Sequence, residues 1–294
     1  MSDNIKINVE GKELTIDEEG KKKLLKLPLS IEVAENSFLH IGAAPSPLTE
    51  KKGAVFKVDR IPVIPATSVK GALRYQLELL FIEKSNEFAK LLNLSNGEKD
   101  MLKPCIPSSK PSDAEKELIN AKQYRQKHCE LKADNNGIKI EEENIGICPV
   151  CYFMGATGLM GFLRFNNFYP LGESDVIDQT NIRIDRKTGT AAYGAKVEGE
   201  QVKPGTVFKG NIDIIISDPI LQMQGIQFGD ARKIGNKVVD KWLEKWSETD
   251  KDKKISILIE KVLLPAIRNI KELGGQKSKG AGKVIVKVDW DALK

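Results

Sequence analysis

Apolar and polar residues alternate strictly in several short stretches of this chain, and these stretches predict its strands. INVEGKELTI alternates on both sides of Glu10 and Gly11, which reads as a small hairpin. LPLSIEVAE sets Leu27, Leu29, Ile31 and Val33 on one face of a half-buried strand, because successive strand side chains point to opposite sides. Phe208 to Ser217 reads as a strong strand, and VIVKVDW as an alternating one near the C-terminus. After Pro65 the apolar period lengthens, and Val69, Leu73, Leu77 and Leu80 form the buried stripe of a helix. Thr67 and Ser68 look like its caps. Two later helices are expected. One carries Val239, Trp242, Leu243 and Trp246 on a single face, with the tryptophans as core, and one runs over about 255–273 with a kink at Pro265. Strand-helix-strand units mixed with antiparallel hairpins predict the α+β class.

From about residue 96 to 154 the texture changes. Pro, Ser, Lys and Glu dominate, apolar periodicity fades, and all four cysteines lie there, so this segment reads as an insertion. The organisation expected is an N-terminal hairpin extension over 1–26, a first part of the core over 27–95, the insertion over 96–154, and the rest of the core over 155–294. Within the last part, turn signals at Lys187-Thr188-Gly189 and Lys203-Pro204-Gly205 outline a hairpin arm at about 178–206.

Composition narrows the function classes only a little. With 294 residues, 40% hydrophobic and 30% charged, the chain fits an ordinary globular protein with a sizeable core. No apolar span is long enough to cross a bilayer, and the polar N-terminus is not a signal peptide, so a cytoplasmic protein without membrane partners is expected. A net charge of +5 permits a polyanionic partner without demanding one.

The chemistry-bearing motifs are five. VIPATSVKGALR places Lys70, Gly71 and Arg74 on the first turns of an otherwise apolar helix. Cations there oppose the helix dipole unless an anion lies between them and the helix end; the alternative is a solvated face. The loop from Gly274 to Lys283 holds four glycines and three lysines, including Gly275, Lys277, Lys279 and Gly280. Its order, helix then loop then strand, does not suit a nucleoside triphosphate site, but an exposed loop tracking a phosphate backbone remains open beside a passive turn. Cys148-Pro-Val-Cys151 has the spacing that holds one tetrahedral metal, with Cys105, His128 and Cys129 supplying the remaining ligands. Four of these five would bind structural zinc, the choice between His128 and Cys129 being open, with a redox pair as the alternative. His40, in LHIG at the end of a strand, is either structural or a contact to RNA. In the arm, Arg183, Arg186 and Lys187 lie among Ile182, Ile184 and Asp185, a pattern able to hold a backbone and wedge between bases, or simply to be solvated.

These pieces in this order, LHIGAA, IPVIPATSVKGALR, NIRIDRKTGTAAYG with VKPGTVFKG, and LGGQKSKGAGKV, resemble the RAMP superfamily and within it the repeating backbone subunit of type III CRISPR effector complexes. The resemblance implies a modified ferredoxin-like (RRM-like) core with a zinc-bearing insertion and a thumb hairpin. It also implies copies stacked along a CRISPR RNA, and a thumb interrupting the duplex with complementary target RNA. Other type III effector subunits would be partners. By resemblance His40, Lys70 and Arg74 would face the guide backbone, Arg183 and Arg186 would belong to the thumb, and the loop from Gly274 to Gly282 would follow phosphates. Lys52, a further expected RNA contact, lies near the position at which cleaving members carry an aspartate. Glu50 and Asp59 are the acids of that loop, so a metal-dependent endoribonuclease using magnesium is an alternative to a non-cleaving subunit. A stand-alone zinc-stabilised protein binding a small phosphate compound is the other.

Overall fold

A computed structural model describes residues 6–20, 22–43, 53–134, 137–140, 144–218, 227–234 and 236–293. Its main sheet has the order Tyr169–Pro170, Val207–Ser217, Lys22–Val33, Val284–Val288, with Asp17–Glu19 added to Lys22–Val33 and Leu163–Phe165 added to Val207–Ser217. Val284–Val288 runs antiparallel to the central strand, in a register that sets Val284 against Val33 and Val286 against Ile31. Tyr169–Pro170 pairs antiparallel with Val207–Ser217. This is a mixed α/β architecture with antiparallel ladders.

The alternation read from LPLSIEVAE is realised: Leu27, Leu29, Ile31 and Val33 are buried while the residues between them are partly exposed. The strand also begins earlier than the alternation suggests, at Lys22. The N-terminal hairpin forms as Lys6–Val9 against Lys12–Thr15, turning through left-handed Glu10 and Gly11.

The first long helix spans Ala66–Glu83 and buries the expected stripe of Val69, Leu73 and Leu77 completely, with Leu80 close behind. Its start differs from expectation. Thr67 and Ser68 lie inside the first turn, and the Ala66 amide donates instead to Asn167 Oδ1 at 2.9 Å. A remote side chain thus supplies the acceptor that a local cap would have supplied.

The tryptophan segment buries Val239, Trp242, Leu243 and Trp246, although only Lys241–Glu244 is helical. The last helical run begins at Lys251, where Asp250 caps it, and ends at Arg268. Pro265 lies just inside Leu264–Arg268, the last piece of this run. A π-helical turn at Ile259–Leu263 precedes it, and such a widened turn accommodates a ring that has no N–H to give and would crowd the carbonyl four residues back.

Two compact units can be distinguished. One comprises 1–27, 73–164 and 212–266; the other comprises 28–72, 165–211 and 267–294. In the first unit Tyr152, Phe153, Phe162, Phe228 and Trp242 form an aromatic cluster, with Tyr152 edge-on to Trp242 at 5.3 Å between ring centroids. In the second, the fully buried Phe168 ring lies flat on Gly210, where an added Cβ would come within 2.7 Å of the ring. Gly210→Ala is therefore expected to destabilise the protein by about 1–3 kcal/mol, through overpacking rather than backbone strain, as read from the urea midpoint. No helix of the described residues is long and apolar enough to cross a membrane.

Candidate metal centre and nucleic-acid interface

In CPVC, the first cysteine ends an extended segment and the second lies one turn into a helix. Cys148 is the N-cap of Pro149–Met154, proline takes the first helical position, where no amide hydrogen is needed, and the Cys151 amide donates to Cys148 Sγ at 3.4 Å. This one turn brings two sulfurs together. Cys105, from the segment after the 3₁₀ turn Asn96–Leu102, and Cys129, ahead of the hairpin strand Leu131–Asp134, complete the set. The four sulfurs lie within 4.8 Å of one another and all four residues are buried. Cys105 Sγ stands 3.4 Å from Cys151 Sγ and 3.9 Å from Cys148 Sγ, so no disulfide is formed.

Zinc–sulfur bonds of about 2.3 Å in a tetrahedron put neighbouring sulfurs roughly 3.8 Å apart. The observed spacing suits one mononuclear ion. His128 stands outside the quartet, its Nε2 facing Glu130 Oε2 at 3.2 Å. Of the five sequence candidates, the four cysteines come together.

Hydrogen-bond donors surround these sulfurs. Backbone amides of Cys129 and Cys148 donate to Cys105 Sγ and Cys129 Sγ at 3.4 and 3.2 Å. Two arginines reach in as well. Arg74 Nη2 lies 3.6 Å from Cys151 Sγ and 3.9 Å from Cys105 Sγ, while its Nε donates to Glu78 Oε1 at 2.9 Å. Arg125 Nη1 lies 3.9 Å from Cys129 Sγ and also donates to the Gly146 carbonyl, while its Nε and Nη2 donate to the carbonyls of Lys103 and Met101.

The ionisation of these groups follows from the packing. Burial opposes the Arg74 charge, but Cys151, Glu78 and Cys105 more than restore it. Burial also raises the Glu78 carboxyl, against the pull of Arg74 and of the Tyr124 hydroxyl, which donates to Glu78 Oε2 at 3.2 Å. Crowding against Cys105, Cys148 and Cys151 pushes the Cys129 thiol up.

Arg74, expected to face an RNA backbone, instead spends its guanidinium on thiols and Glu78. Lys70, one turn earlier, is exposed. A Cβ on Gly71 would meet nothing within 4 Å, so this helix face is open surface. Sequence reasoning missed Glu78, Tyr124 and Arg125; the only available signals were the four-residue spacings from Arg74 to Glu78 and from Arg125 to Cys129.

Within the second unit, the end of the LHIG segment, the base of the arm and the glycine-lysine loop are tied together by hydrogen bonds. The Gly275 amide donates to the His40 carbonyl and the Gly282 amide to the Phe38 carbonyl, at 2.8 and 2.7 Å. Ser37 Oγ donates to the Gly280 carbonyl at 2.9 Å. At Gly274, with φ +75°, a Cβ would stand 2.2 Å from the His40 carbonyl oxygen, so only glycine permits this approach. His40 Nδ1 meets the Glu200 carbonyl at 2.8 Å, and Gln201 Nε2 donates to Gln276 Oε1 at 3.0 Å. Gly275, Lys277, Lys279 and Gly280 are exposed on this loop, with Lys277 3.7 Å from Glu272.

The arm is the antiparallel pair Val176–Ile184 and Ala191–Val202. Asp185 Oδ1 accepts the amides of Lys187 and Thr188 at 2.8 and 3.0 Å, which closes the tip and holds that carboxyl below its ordinary range. Arg183, Arg186 and Lys187 are exposed around it. Ile182 and Ile184 are exposed too, at 55% and 63%, so the tip combines cations with uncovered apolar surface. Asp59 is exposed in a two-residue turn between Lys57–Val58 and Ile61–Pro62, where Asp59 and Arg60 both have left-handed φ. Glu50 and Lys52 lie outside the described residues.

The sequence profile described as RAMPs, the RAMP superfamily, matches residues 36–285. Among solved structures, the chain is similar to a chain of the cryo-EM structure of the Type III-B Cmr-beta bound to cognate target RNA. The two are 14% identical, with 92% of this chain and 98% of that one covered and a TM-score of 0.42. It is also similar to a chain of the Type III-B Cmr-beta apo state, at 14% identity, 90% and 97% coverage and a TM-score of 0.41. No curated protein sequence matches it.

Proposed function

Because this chain belongs to the RAMP superfamily, we propose that it is a CRISPR RNA-binding subunit of a type III interference complex, stacking with further copies along the guide and organising its duplex with target RNA. The observation that carries this reading is the convergence of His40, the arm base at Glu200 and Gln201, and the loop at Gly275 and Gln276. The exposed glycines and lysines that these ties hold in place on the loop suit a polyanion whose recognition rests on its backbone.

The strand order supports a modified ferredoxin-like core. The central strand lies between Val284–Val288 and Val207–Ser217, and Leu163–Phe165 and Tyr169–Pro170 continue beyond the latter. The arm, with its exposed cations and isoleucines, is read as the thumb. Lys70 faces the guide backbone in this reading, together with Arg183, Arg186, Lys187, Lys277 and Lys279. The four cysteines would hold one structural zinc ion, which would cross-link a segment whose apolar periodicity fades.

The full-length chain is expected to bind single-stranded RNA with a strong salt dependence. With four to six phosphates neutralised, affinity should fall by roughly 50- to 300-fold between 50 and 200 mM salt. Fluorescence anisotropy of a labelled RNA across that range is the test. A flat salt response, or no binding at 50 mM, would remove the proposal.

A further inference from the structure

His40 is surrounded by glycine. A Cβ on Gly42 would sit 3.3 Å from its Nε2, one on Gly275 would sit 3.6 Å from its Cδ2, and one on Gly53 would sit 3.9 Å from its Cε1. Gly53 is accounted for by its contact with Gly199, whose Cα would lie 3.1 Å from a Cβ there. Gly42 and Gly275 are not. Neither has a left-handed backbone, so neither needs to be glycine for conformational reasons, and the nearest group that a side chain would meet at either is the imidazole itself. Among the described residues, the two glycines leave the Nε2–Cδ2 edge of the ring uncovered.

The other edge fixes the chemistry of this one. Nδ1 lies 2.8 Å from the Glu200 carbonyl oxygen, which can only accept, so Nδ1 carries the proton. In the neutral ring Nε2 is then a lone pair, an acceptor. Among the described residues no hydrogen bond reaches Nε2, and their sealed side-chain atoms without a partner are Ser174 Oγ, Gln179 Oε1 and Trp242 Nε1, not Nε2. An exposed acceptor with a fixed tautomer does not suit a phosphate oxygen, which is itself an acceptor. It suits a hydroxyl.

Resting on the RNA-binding reading above, we propose that His40 is a specificity-determining residue whose Nε2 accepts a hydrogen bond from a ribose 2′-hydroxyl, so that the chain prefers RNA to DNA of the same sequence. The 2′-hydroxyl is the one backbone donor that RNA has and DNA lacks. Lysines of the interface see the same phosphates in both polymers.

The test compares dissociation constants of the full-length chain for a single-stranded RNA and the DNA of identical sequence. Wild type, His40→Ala and Gly42→Ala are measured at fixed low salt. The ratio of DNA to RNA dissociation constants is expected to fall by about 3- to 10-fold in His40→Ala, the size of one net hydrogen bond. Gly42→Ala, which keeps the imidazole but sets a methyl group against Nε2, should lower the ratio in the same direction. It also decides the matter if His40→Ala does not fold. Lys70→Ala, a phosphate contact in the same reading, should weaken both polymers equally. An unchanged ratio in the His40 and Gly42 variants, or an equal loss for RNA and DNA in both, overturns the assignment while leaving RNA binding intact. Failure of the wild type to bind either polymer overturns the RNA-binding reading, and this one with it.

Discussion

Cys151→Ser is expected to leave the protein without stoichiometric zinc and to unfold the surroundings of the cysteine quartet. Purified wild type should carry one zinc per chain by elemental analysis, and the variant essentially none. A structural zinc ion contributes about 10–16 kcal/mol of apparent binding free energy in small metal-folded domains. Here part of that stabilisation supports helices and packing that exist around the site, so a loss of several kcal/mol is the expected outcome. The reason lies in charge as much as in geometry. Arg74 directs its guanidinium group at Cys151 Sγ, and a serine hydroxyl at position 151 returns no thiolate to it. Removal of the metal with a chelator should produce the same fall in melting temperature, and readdition of zinc should reverse it. Wild-type protein with no bound metal and no response to the chelator would show that the quartet is only a cluster of thiols.

The second large effect is expected from Asp240→Ala. Arg232 and Asp240 form a fully buried bidentate pair, with Nε to Oδ2 at 2.6 Å and Nη2 to Oδ1 at 2.7 Å. Their side chains are 1% and 0% exposed. Nη1 of the same arginine donates to the Met160 carbonyl at 2.8 Å, and the guanidinium carbon stands 5.0 Å from the Tyr152 ring centroid and 5.3 Å from that of Phe162. Removing the carboxylate strands a charge among aromatic rings, at a cost of about 3–5 kcal/mol. Replacing both partners, as Arg232→Met with Asp240→Ala, should cost less than Asp240→Ala alone, because no charge is then left buried. Urea denaturation of the two single variants and the double variant gives the coupling directly. A double variant less stable than Asp240→Ala would contradict this account.

Much of the local structure could be read from residue order because its cause is local. The alternation at Leu27, Leu29, Ile31 and Val33 and the stripe at Val69, Leu73 and Leu77 each follow from the geometry of a single element. So does the knuckle of Cys148 and Cys151, which one helical turn creates. What could not be read depends on partners far away in the chain. Arg74 looks like a solvated cation until Cys105 and Cys151 arrive 31 and 77 residues later. The choice of Cys129 over His128 rests on which of two neighbours turns inward, and spacing alone carries no information about that. Asn167 caps a helix 101 residues upstream. Pro265 is a middle case: its disturbance of the helix is predictable, but the π-helical turn ahead of it, with Ile259, Val262 and Leu263 buried, is not.

The chain passes between its two compact units five times, as the order 1–27, 28–72, 73–164, 165–211, 212–266 and 267–294 shows. Neither unit can therefore be cut out as a contiguous gene fragment, and a truncation from the C-terminus removes a strand from the main sheet before it removes any whole unit. The order of synthesis has a cost as well. Val33 leaves the ribosome long before Val284, its partner across the sheet, and at about 5–20 residues per second that wait is roughly 10–50 s. For that interval one edge of the central strand lacks its final neighbour, so the nascent chain offers an open β-edge to chaperones, and to aggregation with other unfinished copies.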